Sequence, residues 1–377
     1  MTKTNKINML IILTIFSISF RIFSLSILLS SICLYLFLQK NNFNRSNISS
    51  YILIFSFYIF HYAIGITNEA DTVYFTLKTL LFFITSSFFY FLAIIDQNKI
   101  KKHLIYFSIF SLTYAFTISI YSYINNYRGY NDLYNPFEMV QTNSPLVATL
   151  ISISLIILLE CLNLSKKNIT FIIILFIIST LISTIYLGSR ASLILIFLYV
   201  FMKTLMFILN RVSIKTLTLI LIFISIFIFM IMNINLLNFG GFYERGLESS
   251  RFTIIKDGLY SLLDHPFGGM KVVSASWFHN IFLDIARVSG YIVTLFWCII
   301  LTFILTIIIA NKFIYKTKKT FGILFFILML SFSQDLAFDG YYNTMALLFM
   351  IMGYNVNIFF NKKRDDNESF GNNHNSK

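Results

Sequence analysis

Charge is the scarcest commodity in this chain. Only 12% of its 377 residues are Asp, Glu, Lys or Arg, while 57% are hydrophobic. A soluble domain needs about a quarter of its residues charged to wet its surface, so the shortage excludes one and leaves a polytopic membrane protein. Cysteine is nearly absent: Cys33, Cys161 and Cys298 each stand alone in an apolar run, which excludes a readable disulfide framework or Cys metal site. The three prolines, Pro136, Pro145 and Pro266, fall in loops or at the start of a span, never mid-span. Transporters commonly break helices with Gly or Pro at mid-membrane, so this placing argues against one. There is no Asp-x-Asp pair and no ligand spacing among His265, His279, Asp257 and Asp264 that would hold a metal. Internal repeats are lacking as well. The excess of bases, a net charge of +13, is spread over short loops rather than gathered on one polar face, which excludes nucleic acid as the partner.

What is present is a series of apolar runs. They predict an all-α fold of about twelve transmembrane spans at 7–20, 22–38, 50–66, 74–95, 104–124, 145–163, 169–187, 191–209, 214–236, 279–310, 320–336 and 341–360. Residues 7–38 read either as one long tilted helix or as two short helices turning at Arg21, and the charge pattern favours the turn. Residues 1–360 form one integral membrane domain in this reading, followed by a polar, disordered tail at 361–377. With both termini cytoplasmic, 20 of the 29 basic residues fall on the cytoplasmic side, as the positive-inside rule asks. The nine exceptions are Arg21, Lys78, Arg128, Arg190, Arg245, Arg251, Lys256, Lys271 and Arg287. Each wants a reason.

Four of those exceptions, Arg245, Arg251, Lys256 and Lys271, lie in the longest polar interruption, the far-side loop 237–278. Within it Ser249 and Ser250 can cap a short amphipathic helix starting at Arg251, with Phe252, Ile255, Leu259 and Leu262 on its apolar face and Asp264-His265-Pro266 as its stop. Arg251 then occupies a first turn, where the helix dipole already favours an anion. It reads either as an anion ligand or as a surface charge. Arg190 reads either as an anion ligand at a membrane edge or as a snorkelling interfacial residue. His279, between Trp277-Phe278 and Asn280 at the start of a span, reads either as a proton acceptor or as a cap, with His265 its rival and more readily a helix stop. Asp284 and Arg287, three apart, suggest a helix-surface ion pair. The loop 125–144 and the residues Asp335, Asp339, Tyr341 and Tyr342 suit either a sugar groove or a solvated turn.

Three pieces together carry a resemblance: Gly188-Ser189-Arg190-Ala191 before a span; Arg251-Phe252, a helix, then Asp264-His265-Pro266-Phe267-Gly268-Gly269; and His279-Asn280-Ile281-Phe282-Leu283 followed by Gly290. In this order and at these spacings the middle third of the chain resembles the O-antigen ligase and polymerase family of bacterial membrane glycosyltransferases. The resemblance implies a metal-independent, cofactor-free enzyme of GT-C type in the bacterial inner membrane. It would take a glycan from undecaprenyl diphosphate and join it to a second sugar at the periplasmic face. It implies diphosphate binding by Arg190 and Arg251 and catalysis by His279, with Ser189, Asn280 and Arg245 in support. Implied partners are the lipid-linked oligosaccharide, the bilayer, and the chain-length regulator and flippase of the same pathway. Family ligases carry a small or hydroxyl residue where this chain has Val293, which favours a polymerase; a ligase and a flippase or transporter stand as the alternatives.

Overall fold

The computed structural model describes residues 3–40, 43–130, 132–162, 175, 178–179, 182, 186–209, 250–271, 277–317, 320–333 and 342–374. The protein is mostly helical. Its elements are α1 (Lys3–Ser19), α2 (Phe23–Lys40), α3 (Arg45–Gly65), α4 (Thr72–Ile95), α5 (Ile100–Ile124), β1 (Leu133–Asn135), β2 (Val140–Thr142), α6 (Ser144–Cys161), α7 (Arg190–Leu209), α8 (Ser250–Ser261), α9 (Ile281–Phe313), α10 (Gly322–Phe332) and α11 (Tyr342–His374). Among the described residues, six helices are long and apolar enough to cross a membrane: 45–65, 72–95, 97–124, 144–161, 281–313 and 342–363. Four shorter apolar helices fall on four further expected spans. The expected span at 214–236 lies outside the described residues, as does most of that at 169–187. Helices dominate because hydrocarbon offers no partner for backbone N–H and C=O groups, which must therefore bond within the segment.

Two compact units form, one from Met1–Phe110 with Ser250–Lys377 and one from Ser111–Ser249. In the first, α1 and α2 part at Arg21, which takes a left-handed φ of 58°. The Arg21 and Ile22 amides bond back to the carbonyls of Ile18 and Ser17, a Schellman closure that usually recruits glycine. The turn reading therefore holds. The core pairs α4 with α11, and the approach is close at Gly353, where a Cβ would stand 2.5 Å from the Tyr90 carbonyl oxygen. On α9, Trp297 is fully buried against Phe57 of α3, ring centroids 4.6 Å apart.

Asparagines tie one end of this unit together. The Asn47 amide donates to Asn357 Oδ1 (3.0 Å), Asn357 to the Ile94 carbonyl, Asn311 to the Asn355 carbonyl, and Asn355 to the Thr320 carbonyl. Such interhelical bonds in a membrane protein contribute about 0.6 kcal/mol each, and together they tie α3, α4, α9 and α11 to the connection before α10. Helix α11 continues from its apolar span through the polar residues 361–374.

In the second unit, α6 is buried along nearly all its length and packs on α7, with the Ser152 and Ser192 hydroxyls hydrogen-bonded. The loop after α5 closes as an antiparallel hairpin pairing Leu133 with Thr142 and Asn135 with Val140. Side chains of Asn135 and Ser122 anchor it to Tyr114 and the Tyr134 backbone.

Candidate functional site

The site in the first unit begins with a loop seated on a helix. Helix α8 ends in a 3₁₀ turn, Leu262–Asp264, which the His265 amide closes, so His265 takes the helix-stop role. Gly268 and Gly269 follow with φ of 87° and 79°, and Gly290 breaks α9 internally at φ 86°, ψ 165°. These glycines let two backbones touch. The Gly269 and Met270 amides both donate to the Arg287 carbonyl, at 2.8 and 3.2 Å. A Cβ on Gly290 would lie 1.9 Å from the Pro266 oxygen, and one on Gly268 would lie 2.2 Å from the Val288 oxygen. Asn68, just past α3, locks the seam by donating to the carbonyls of Phe267 (2.7 Å) and Val288 (2.9 Å). Two of the three sequence pieces, the Asp264-to-Gly269 run and the His279-to-Gly290 run, are thus one structural object.

The start of α9 is a second fixed point. The Asn280 side chain caps the helix, accepting from the amides of Phe282 and Leu283, and its amide group donates to the Ser333 carbonyl at 3.2 Å. Asp284, 1% exposed, reaches back: one carboxylate oxygen accepts from the Phe278 amide (2.8 Å) and the other from the Asn280 amide (3.1 Å). The residue between those amides is His279, held at a left-handed φ of 56°. Few residues other than glycine take that region, histidine among the readier of them, and the carboxylate bridge on either side holds it there. Phe278 is buried on Gly258 of α8, where a Cβ would meet its ring at 2.5 Å.

Helix α8 is therefore set by its contact with α9. Ile254 and Phe278 share a buried cluster with Met270, Leu283 and Ala286, and Ile255 and Leu262 border it. Leu259, on the apolar face expected to lie along the membrane surface, is 57% exposed, while the neighbouring Gly258 seats the Phe278 ring. Arg251 is the second residue of α8, in its first turn.

A charged and aromatic cluster surrounds Trp277. The Arg287 guanidinium lies 4.3 Å from the Trp277 ring centroid and pairs with Glu69 at 2.7 Å. Lys78, 8% exposed, stands 4.7 Å from the same ring. The expected local pairing of Asp284 with Arg287 gives way to these arrangements, because Asp284 is turned inward onto backbone amides and Arg287 outward to Glu69. Below them the buried Ser289 hydroxyl and the His61 ring nitrogen Nδ1 lie 2.7 Å apart, and the same hydroxyl donates to the His61 carbonyl.

Ser189 and Arg190 belong to the other unit. Arg190 is the first residue of α7, and Ser189, fully buried, accepts from the Ser192 amide as the cap of that helix. Both sequence-selected arginines are thus placed in a helix's first turn. Arg245 lies outside the described residues, as do Asp335, Asp339 and Tyr341; Tyr342 is buried beside Ser26. Sequence reasoning missed Asn68 and the backbone-bridging role of Asp284. It marked Lys78 and Arg287 only as bases on the wrong side of the charge bias. No known protein family matches the chain. No curated protein matches it either.

Proposed function

We propose that this protein is a bacterial inner-membrane glycosyltransferase of GT-C type, with about twelve spans and both termini cytoplasmic. It acts as a surface-polysaccharide (O-antigen) polymerase, transferring undecaprenyl-diphosphate-linked glycan onto a lipid-linked repeat unit at the periplasmic face. The observation that carries the reading is the presentation of His279: a left-handed residue between the two amides that Asp284 bridges, just before the helix cap Asn280, in the same unit as the first-turn Arg251. A neutral imidazole there suits removal of the acceptor hydroxyl proton. Guanidinium groups at Arg190 and Arg251 suit the diphosphate leaving group, since their planar forks hold two oxygens without titrating and helix N-termini already favour anions. The apolar side chains exposed on and after α8, Leu259, Leu263 and Phe267, suit a helix lying at the membrane surface.

Deleting the gene tests this reading against its rivals. Lipopolysaccharide capped with a single repeat unit identifies a polymerase, bare core with intact lipid-linked polymer identifies a ligase, and repeat units trapped on the cytoplasmic face identify a flippase. In the complementing strain, Arg190→Ala and Arg251→Ala should each abolish chain extension at normal protein level, and lysine at either position should restore little. Full extension with either lysine variant would reduce that residue to a general electrostatic role.

A further inference from the structure

Between α3, α4 and Trp277 a cavity opens, with about 520 Å³ of empty space counting its mouth. Its walls are of two kinds. Aromatic rings of Tyr74, Phe75 and Trp277 line it together with the ionisable Glu69, Asp71 and Lys78. Lysine in an apolar span is expensive, and such residues mark substrate paths by default. Lys78 is also one of the nine bases that the charge bias leaves on the far side, and Arg287, another of them, holds the opposite end of the same cluster through Glu69 and Trp277.

The mixture of signs identifies the ligand class. A diphosphate entering here would meet the Glu69 and Asp71 carboxylates in the same wall as Lys78. An apolar ligand would bury those three groups against hydrocarbon. A sugar suits all of them, because each hydroxyl both donates and accepts, and its C–H face can lie on an indole or phenol ring. We propose that this cavity is a saccharide subsite that seats the terminal sugar of the acceptor glycan, Trp277 lying two positions before His279 in the chain. This assignment of the acceptor rests on the glycosyltransferase reading.

The chain holds only two tryptophans, and Trp297 is fully buried, so Trp277 emission reports on the cavity once Trp297→Phe removes the other. The test uses full-length protein in nanodiscs. The probe is the source cell's own repeat-unit oligosaccharide, released from its carrier by mild acid. A saturable change in Trp277 emission is expected. Asp71→Asn, Lys78→Met and the rim variant Tyr74→Ala, at a residue 57% exposed whose loss leaves the core intact, should each weaken it about tenfold, the worth of one good polar or ring contact. His279→Ala should bind as the parent does. With purified lipid-linked donor and acceptor, the same three variants should raise the acceptor KM about tenfold at little changed kcat. A response to inorganic pyrophosphate but not to the oligosaccharide, a response to neither, or an unchanged acceptor KM would each overturn the subsite. Saturable sugar binding with no turnover in any condition would instead sink the transferase reading and leave the sugar site standing.

Discussion

Gly290→Ala should unseat the loop from α9 without unfolding the protein. The backbone at φ 86°, ψ 165° lies in a region open essentially to glycine alone, and a Cβ there costs about 1–3 kcal/mol in strain. The new carbon would also stand 1.9 Å from the Pro266 oxygen and 2.4 Å from its carbonyl carbon, main-chain atoms that cannot rotate away. Against this stand the three bonds of the seam, from the Gly269 and Met270 amides to Arg287 and from Asn68 to Phe267. At about 0.5–1.5 kcal/mol net each, they total about 1.5–4.5 kcal/mol, comparable with the strain alone. Burial of the Met270 side chain adds about 1.5–3 kcal/mol to the holding side, but the main-chain clash cannot be relieved by any rotation, so releasing residues 264–270 is the cheapest relief. Hydrogen exchange in nanodiscs should then show the amides of residues 269 and 270 losing protection while the rest of α9 keeps it, with chain extension lost at normal protein level. Gly269→Ala is the control. Its φ is also positive, but its nearest contact would be Asn68 Oδ1 at 3.4 Å, so only about 1–2 kcal/mol of left-handed strain applies and the loop should stay seated. Parental protection at residues 269 and 270 in Gly290→Ala, together with normal extension, would refute the reasoning.

His279→Ala should lower turnover by about 10²–10⁴-fold while donor binding survives; a near-parental His279→Asn enzyme would eliminate it as the base. Asp284→Asn should slow turnover about tenfold or more, and that penalty should vanish in the His279→Ala background if the carboxylate acts only through His279; an undiminished penalty would make Asp284 a fold residue. At the opposite, asparagine-tied end, the hydrogen bond from His103 and the neighbouring Lys99 hold the Asp96 carboxyl below its ordinary range. A depressed folded pKa gives stability that is present above the unfolded value of about 3.9 and lost as pH falls through the folded one. Asp96→Asn should therefore lower the melting temperature at neutral pH, with the gap closing in strong acid; a gap independent of pH would place its origin elsewhere.

The hydrophobic runs and the charges that punctuate them made the helices legible, including the turn at Arg21, where a lone base at mid-run is costly unless the chain turns. Helix α8 was legible from its caps and periodicity. Its seat on α9 was not, since Gly258 counts for nothing in an apolar pattern yet receives the Phe278 ring. The break at Gly290 was hidden for the same reason: a single glycine inside a continuous apolar run is tolerated in most helices. Arg287 shows a local rule losing to a distant partner, because Glu69 is far away in sequence and no spacing argument reaches it. Lys78 and Trp277 met the same limit. The hairpin at 133–142 lacks the strict alternation of a half-buried strand and is held by side-chain anchors, Asn135 and Ser122, that composition does not reveal.

The seam between residues 264–270 and α9 is built from main chain, three glycines and one asparagine amide, whose hydrogen-bonding groups are spent on one another. Specificity and scaffold are consequently written in different residues. On the proposed saccharide reading, side chains around Trp277 can be exchanged to suit another glycan while the frame stays intact, because the seam's own bonds run through main chain and Asn68. Chains that keep this frame while the cavity side chains change would share little beyond an asparagine in the short connection after α3, a Gly-Gly pair, and a glycine one short helix beyond the histidine. Overall similarity averages such a sparse pattern away, and kinship of this kind is to be sought in the spacing of its smallest residues.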